Sequence, residues 1–277
     1  MENKFNISVD YNIFIAKRNI VDYIYKSAKL EGIAVTFPET EAIYNGANIV
    51  SLNIDEIVTI NNLKHAWQFL FETMQYPKVD FPYVCEMNRK VGANLFYTAG
   101  NIRNIPVRIG GTSWIPQIPF KGDIIDNLNN IQNIENATER AITLMLYLTR
   151  TQAFADGNKR TAMLCANRIM IENGAGIISI PVEKINDFKG HLIKYYETNE
   201  MDDIKNFVYD NCIDGMLMQE KSKEDLEEEI ERSKIFANYH LSFINPNDSS
   251  AMDELRAEHN KEQEKEENTN KSKGHRK

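Results

Sequence analysis

The chain has 277 residues, of which 42% are hydrophobic and 26% charged, a balance typical of a globular protein with its own core. Its formal net charge of −8 offers no general attraction for nucleic acid, so we expect no nucleic-acid partner. The three cysteines form no paired zinc motif, and no apolar run could cross a membrane or act as a secretion signal, so we expect a cytoplasmic protein.

The N-terminal third is predicted to be helical. Segments with helical apolar periodicity lie at 10–30, 39–52, 55–76 and 83–98. Gly32 interrupts the first helix, and Pro38 limits where the next can begin. We therefore predict a region of N-terminal helices at 1–60.

A different pattern follows at Val107–Ile115, where apolar residues alternate on both sides of Gly110 and Gly111. Two glycines between alternating apolar residues predict a β-hairpin that turns at the glycines. Pro116 and Pro119 would end its second strand, because proline cannot donate to a strand ladder. The hairpin is expected to stand alone in a mainly α protein.

Two helices joined by a tight polar loop are predicted in the centre of the chain. Asn136 is a candidate N-cap of the first helix, which runs to the loop. The second helix is predicted to begin near Asn158 and to end at Asn173–Gly174, a typical helix C-cap. Residues 180–215 are expected to supply two more helices, which completes a core at 61–218.

The composition changes after residue 220. Dense charges predict an exposed helix, and the polar residues beyond about 247 predict disorder, so 219–277 is interpreted as a charged helix and a disordered tail. The helix is interpreted as a solvated face. The alternatives are a cap on the core and pairing with a second subunit in a homodimer.

The loop before the second central helix has the composition of an anion site. The first turn of a helix has unpaired backbone N–H groups and the positive end of the helix dipole, and Gly157 allows close approach to that backbone. Lys159 and Arg160 add positive charges there, which a bound phosphate would neutralise. Asp156 is a candidate ligand for Mg²⁺ between phosphates. The pattern indicates a triphosphate with magnesium; the alternative is an ordinary turn with solvated basic side chains.

The wider segment Gln152-Ala-Phe-Ala-Asp-Gly-Asn-Lys-Arg-Thr-Ala162 resembles the Fic family motif, His-x-Phe-x-Asp/Glu-Gly-Asn-x-Arg-x-x-Arg, and even more the Asn-Lys-Arg-Thr-Ala version of Doc-type members. Upstream, Ser27-Ala-Lys-Leu-Glu31-Gly32 resembles the inhibitory-helix motif of the same family. The predicted hairpin resembles its flap, which clamps a target segment. The resemblance covers about 10–215 and implies a mainly α Fic (Fido) fold with a β-hairpin flap at 105–117 and a motif loop at 152–163.

The resemblance also implies an activity, the transfer of AMP from Mg-ATP to a hydroxyl side chain of a target protein. Asp156 would hold Mg²⁺, and Gly157, Asn158, Lys159 and Arg160 would hold the phosphates of ATP.

Regulation and target binding are implied in the same way. Glu31, with Ser27 and Gly32 in its motif, would push the triphosphate into an unproductive position, because a carboxylate beside phosphates repels them. An unknown target protein would dock on the flap, where it would meet Arg108, Thr112 and Trp114.

Two positions depart from the family pattern. Gln152 occupies the place of the catalytic histidine, and an amide cannot take a proton near neutral pH. Met163 occupies the place of the second arginine, the usual partner of the inhibitory glutamate; Arg160 or Lys159 could replace it. Three functions stay open: impaired AMP transfer, Doc-like transfer of the γ-phosphate, and non-catalytic binding of a nucleotide or partner.

Overall fold

The computed structural model describes residues 1–215, which belong to one compact unit, Met1–Leu217. Helices form most of the described part: α1 (Val9–Arg18), α2 (Ile20–Leu30), α3 (Phe37–Tyr44), α4 (Ile54–Glu72), α5 (Phe81–Val91), α6 (Lys121–Gln132), α7 (Ala137–Thr151), α8 (Asn158–Glu172), α9 (Ile185–Thr198) and α10 (Asp202–Asn211). The mainly α class is therefore confirmed. The helix and tail predicted at 219–277 lie outside the described residues.

The predicted helix at 10–30 is in fact two helices. The chain leaves helical geometry at Asn19, which ends α1 and precedes α2. Side-chain caps define where α3 and α4 begin. Thr36 and Asn53 each form a reciprocal capping box with a glutamate three residues later. The predicted division near residue 60 falls within α4; as a functional division it stays a prediction.

The helix α8 lies at the centre of the unit, with α7, α5, α4 and α1 packed against it. Nearly all of its residues are buried, and two of the polar ones form hydrogen bonds with the backbone of neighbouring segments. The Arg168 guanidinium donates to the carbonyl oxygens of Met74 and Tyr76 beyond the end of α4, at 2.5 and 3.0 Å. The Asn167 side chain bonds both backbone groups of Ile178, at 2.7 and 2.9 Å. These contacts hold α8 in a fixed position, and with it the loop at its N-terminus.

A two-stranded antiparallel sheet lies beside α8. Strand β1 (Ile177–Ile178) pairs with β2 (Ile213–Asp214), with Ile177 opposite Asp214. The sequence did not predict these strands, since two residues are too few to show an alternating pattern.

The flap is not the predicted β-hairpin. It turns at Gly110–Gly111 as expected, but its two arms form no strand ladder within the described residues. Proline at 106 and 116 removes two backbone donors, and the carbonyl oxygens of Ile105 and Gln117 accept from the Arg103 side chain instead of from each other's arm. The flap is thus an irregular loop closed by one guanidinium.

No described helix combines the length and the apolar character needed to cross a membrane.

The contact between Gly174 and the N-terminal segment yields a stability prediction. Gly174 has φ +62°, and an added Cβ would lie 1.8 Å from the carbonyl oxygen of Ile7. Gly46 has φ +90°, but an added Cβ there would meet nothing within 4 Å. Gly46→Ala should cost about 1–2 kcal/mol of unfolding free energy from left-handed strain alone. Gly174→Ala should cost at least about 2 kcal/mol more, because backbone must move.

Urea unfolding of the two variants measures this difference. Equal losses would show that the N-terminal segment does not pack against Gly174 as the structure has it.

Candidate functional site at the start of α8

The predicted anion site would lie at the first turn of α8. Gly157 precedes the helix with φ +76°, and no side chain caps its N-terminus. An added Cβ on Gly157 would lie 2.9 Å from Val91, so this position needs glycine both for its conformation and for space. The turn has no side-chain cap, and such a turn has backbone N–H groups that could bind an anion; the anion site itself stays a prediction.

The structure brings Glu31 to this helix start. Glu31 is the C-cap of α2, and its carboxylate lies 3.3 Å from the Lys159 ammonium and 3.5 Å from Nε of Arg160. Nη2 of Arg160 also donates to Asp156 at 3.2 Å. The buried Arg160 guanidinium therefore joins two carboxylates, one from the motif loop and one from the N-terminal helices.

The contacts of Arg160 are incomplete. Its Nη1 is buried without a hydrogen-bond acceptor, while Nε meets Glu31, and Oε1 of Glu31 meets Lys159, only as ion pairs without hydrogen-bond geometry. Buried polar atoms without partners typically cost about 1–3 kcal/mol each, more when charged. Phosphate oxygens could satisfy the arginine nitrogens, so this arrangement fits an oxyanion ligand such as a triphosphate.

Asp156 fits a role as a single magnesium ligand. Its side chain is 61% exposed, and one oxygen accepts from the Gly157 N–H at 2.6 Å. Among residues 1–215, no group of three or more metal-binding side chains is present. Mg²⁺ usually keeps waters and takes one or two carboxylates together with substrate phosphates, which one exposed aspartate can supply.

The other residues of the predicted inhibitory motif lie at the end of α2 beside Glu31. Ser27 is buried, and its carbonyl oxygen accepts from the Glu31 N–H at 3.2 Å. Gly32 follows with φ +89°. Met163, at the position of the family's second arginine, is buried and lines a narrow gap that Ser27 also lines. Arg160 and Lys159 therefore provide the cations near Glu31.

Gln152 is held by hydrogen bonds at both ends of its amide. It has left-handed backbone geometry at the end of α7, and its Nε2 donates to the Thr149 carbonyl at 2.7 Å. Its Oε1 accepts from Asn158 at 3.1 Å, and its side chain lies close to the Tyr196 hydroxyl. The amide thus braces the loop instead of pointing freely at a substrate.

Tyr196 does not replace the missing base. Burial, together with the nearby Glu31 charge, raises the pKa of its hydroxyl far above the usual range. The phenol is therefore neutral at physiological pH, and it would accept a proton no better than the amide of Gln152.

The Asn158 side chain also braces the loop. Its Oδ1 accepts from the Phe154 N–H at 2.9 Å, and its Nδ2 donates to the Phe154 carbonyl at 2.8 Å. The side chain is therefore engaged within the loop, and the predicted phosphate contact of Asn158 would be made through its backbone N–H in the first turn of α8.

The flap tip leans against α9 beside Gln152. The Trp114 ring lies parallel to Tyr196, with centroids 5.6 Å apart and planes 3° apart, and Arg150 lies 4.4 Å from the Trp114 ring centre. Thr112 donates to Glu197 at 2.8 Å. Arg108 is exposed. Two of the three predicted target-binding side chains are therefore engaged within the chain itself.

Arg103 is a functional candidate that the sequence analysis missed. It is only 4% exposed, and its Nε donates to the Gln152 carbonyl at 2.6 Å while Nη1 and Nη2 donate to Ile105 and Gln117 at 2.7 and 2.5 Å. Its backbone N–H donates to Ala153 at 3.0 Å. One side chain therefore closes the flap and ties it to the motif loop.

Asn88 of α5 is a second residue that the sequence analysis missed. It donates to the Asp156 carbonyl at 3.0 Å and to Thr161 at 3.1 Å, and it accepts from the Gly100 N–H at 2.8 Å. No periodic pattern marks either Asn88 or Arg103, because their partners are distant backbone groups.

The geometry of Arg103 predicts that Arg103→Lys loosens the flap. A lysine cannot reach three carbonyl groups from the fixed fork of a guanidinium. With Trp67→Phe as background, Trp114 is the single tryptophan reporter. Loss of two hydrogen bonds of about 1 kcal/mol each should open the flap and raise acrylamide quenching of Trp114 at least about twofold. Arg108→Lys, in the exposed flap arm, should leave quenching unchanged; equal quenching in both variants would contradict the role of Arg103.

Comparison with known proteins agrees with this geometry. Residues 78–170 match the Fic/DOC family model. Two curated relatives, both named protein adenylyltransferase fic-1, are 29% identical (Caenorhabditis elegans) and 28% identical (Caenorhabditis briggsae) over 179 residues, or 61% of this chain. The chain spans 35% of each relative.

Solved structures show the same fold. Fic-1 (residues 134–508) from C. elegans has a TM-score of 0.62 at 25% identity, over 78% of this chain and 62% of that one. A Fic-domain-containing signaling protein from Bacteroides thetaiotaomicron has a TM-score of 0.61 at 18% identity, over 84% and 90%. The matched residues contain the motif loop and the flap described above, and this part of the chain is similar to the Fic/DOC family.

Proposed function

We propose that this chain is a protein adenylyltransferase of the Fic type, inhibited by Glu31 and impaired by Gln152. Its reaction would be the transfer of AMP from Mg-ATP to a hydroxyl side chain of a target protein. The observation that carries the proposal is the buried Arg160 guanidinium, whose Nη1 has no acceptor, at an uncapped helix start. The curated relatives that match the chain are named protein adenylyltransferases.

The phosphates would bind at the first turn of α8. The backbone N–H groups of 158–160 and the Arg160 side chain supply donors, and Lys159 adds a second positive charge. Asp156 would hold Mg²⁺, which when bound neutralises charge on the phosphates. The fold prepares this site, because Asn88 and Asn158 fix the loop from both sides.

Inhibition would follow from competition for the same cations. The Glu31 carboxylate already contacts both Lys159 and Arg160, so a triphosphate must displace it or bind elsewhere. A carboxylate left beside the phosphates would repel them. The N-terminal helices would thus lower nucleotide affinity, and any partner that moves α2 would raise it.

The rate of transfer would be limited by Gln152. Both ends of its amide are hydrogen-bonded within the protein, and loss of a general base typically slows a reaction about 10²–10⁴-fold. The Tyr196 hydroxyl stays protonated and does not compensate. We therefore expect slow AMP transfer by an enzyme whose nucleotide site is better formed than its catalytic centre.

One observation favours a second function, a binding module without catalysis. Gln152 and Asn158 bond each other and the loop backbone, so their side chains serve a structural purpose that a catalytic histidine would not need to share. A Doc-like transfer of the γ-phosphate is a further alternative, suggested by the Asn-Lys-Arg sequence at 158–160. Whether protein becomes labelled from the α-phosphate of ATP, from the γ-phosphate or from neither separates these functions.

The inhibitory contact predicts the effect of Glu31→Gln on nucleotide binding. Glutamine keeps the shape of the side chain but removes the charge that holds Lys159 and Arg160. Mg-ATP affinity should rise about tenfold, equivalent to about 1.4 kcal/mol, as measured by calorimetry. Glu41→Gln, on the exposed surface of α3, is the matched control and should bind like the wild type. Equal affinity in the two variants would contradict inhibition by Glu31.

Labelled ATP tests the chemistry. Glu31→Gly protein is incubated with Mg²⁺ and, in separate reactions, α- or γ-labelled ATP, and label on the protein or on lysate proteins is read. Addition of Gln152→His should raise α-label at least about 100-fold, because the histidine supplies a base.

The other outcomes of this experiment are also decisive. Label from the γ-position alone would replace AMP transfer by Doc-like transfer. No label in either background, with ATP bound, would leave the binding module as the function.

A further inference from the structure

The tip of the flap, residues 111–114, is held against α9 by two side chains. Oγ1 of Thr112 donates to the Glu197 carboxylate at 2.8 Å, and the Trp114 ring lies parallel to the Tyr196 ring with 5.6 Å between their centres. The Trp114 backbone N–H donates to Oγ1 of Thr112 at 3.1 Å. The two contacts therefore belong to one hydrogen-bonded turn at the end of the flap.

The backbone of the tip also approaches α9. An added Cβ on Gly111 would lie 3.2 Å from Cδ1 of Ile193. Ile193 precedes Tyr196 by three positions and Glu197 by four, a spacing that places all three residues on one side of a helix. The tip therefore covers a continuous strip of α9.

Arg150 of α7 supports the same contact. Its guanidinium lies 4.4 Å from the Trp114 ring centre, while Nη2 donates to the Tyr196 carbonyl at 3.0 Å and Nε to the Tyr195 carbonyl at 3.3 Å. Both carbonyl groups lie in the last turn of α9, where the helix dipole favours a cation. One guanidinium thus contacts both the end of α9 and the ring of the flap tip.

The tip contact covers one side of the position where the family pattern has its catalytic histidine. Gln152 occupies that position, and its side chain lies close to the Tyr196 hydroxyl. Trp114 lies over the Tyr196 ring. A group that approached Gln152 across this ring would therefore meet the tryptophan first.

The flap is held more firmly at its base than at its tip. At the base, the buried Arg103 guanidinium donates to three carbonyl groups. At the tip, the hydrogen bond between Thr112 and Glu197 is exposed, and exposed polar contacts contribute little because water competes for them. The tip can therefore leave α9 while Arg103 still holds the base.

We propose that the contact of the flap tip with α9 is a second inhibitory contact, which a target segment must release before its hydroxyl reaches Gln152. Glu31 limits the binding of nucleotide, and the flap tip limits the access of the target. This inference rests on the proposed function, because it assumes that a target hydroxyl reacts beside Gln152.

Trypsin cleavage after Arg108 measures how often the tip leaves α9. Arg108 is exposed in the first arm of the flap, and a protease cuts a transiently opened segment at a rate that follows the open population. Thr112→Val with Glu197→Ala removes the hydrogen bond at the tip and should raise this rate about fivefold. Thr198→Val with Glu200→Ala, at and just beyond the end of α9, is the matched control and should be cut like the wild type. Equal rates in the two variants would overturn the inference.

Labelled ATP tests whether the contact inhibits transfer. The full chain with Glu31→Gly and Gln152→His is the background for both pairs of substitutions. Release of the tip by Thr112→Val with Glu197→Ala should raise the initial rate of α-label transfer to lysate proteins about fivefold, because both cleavage and transfer follow the open population. The control pair should transfer label at the rate of the background.

The two measurements separate this inference from the proposed function. Faster cleavage without faster transfer overturns the inhibitory contact and leaves the proposed function intact. No α-label on protein in any background overturns the proposed function, and with it the role assigned to the flap tip.

Discussion

The site depends on one buried cation, the Arg160 guanidinium at the start of α8. It contacts Asp156 from the motif loop and Glu31 from the end of α2, yet its Nη1 has no acceptor. A buried charge is tolerated only where opposite charge lies close, so these carboxylates are required while no anion is bound. Glu31 thus supplies, from the end of α2, part of the opposite charge that the buried guanidinium requires.

Local chemistry made the central helices predictable. Asn136 caps α7, and Gly157 directly precedes α8. Both helix starts could be predicted because each residue acts on backbone groups close to it in the sequence. The break between α1 and α2 was not predicted, since neither glycine nor proline marks Asn19. α6 was also missed: its buried residues are only Ile124, Leu128 and Ile131 among many polar ones.

The sequence predicted the charged residues of the site, but not the hydrogen bonds that hold its loop and flap. The sequence placed Glu31, Asp156, Lys159 and Arg160 in one functional group, and the structure brings them together. It could not reveal Arg103, since its partners are carbonyl groups of distant segments. The same cause explains why the predicted hairpin does not form. Alternation predicts which face of a strand would be buried. It does not predict that the backbone carbonyl groups of the flap accept hydrogen bonds from a side chain instead of from the opposite arm.

Glu31 lies at the very end of α2, where the helix gives way to Gly32 with φ +89°. A carboxylate in the middle of a helix could leave its partners only if the helix moved or unwound. Here, rotation about the backbone of one terminal residue and its glycine neighbour is enough to swing the side chain away. Such motions of chain ends and loops take nanoseconds to microseconds, far faster than unfolding. The contact of Glu31 with Lys159 and Arg160 would therefore form and break rapidly, at a rate that does not depend on the global stability of the protein.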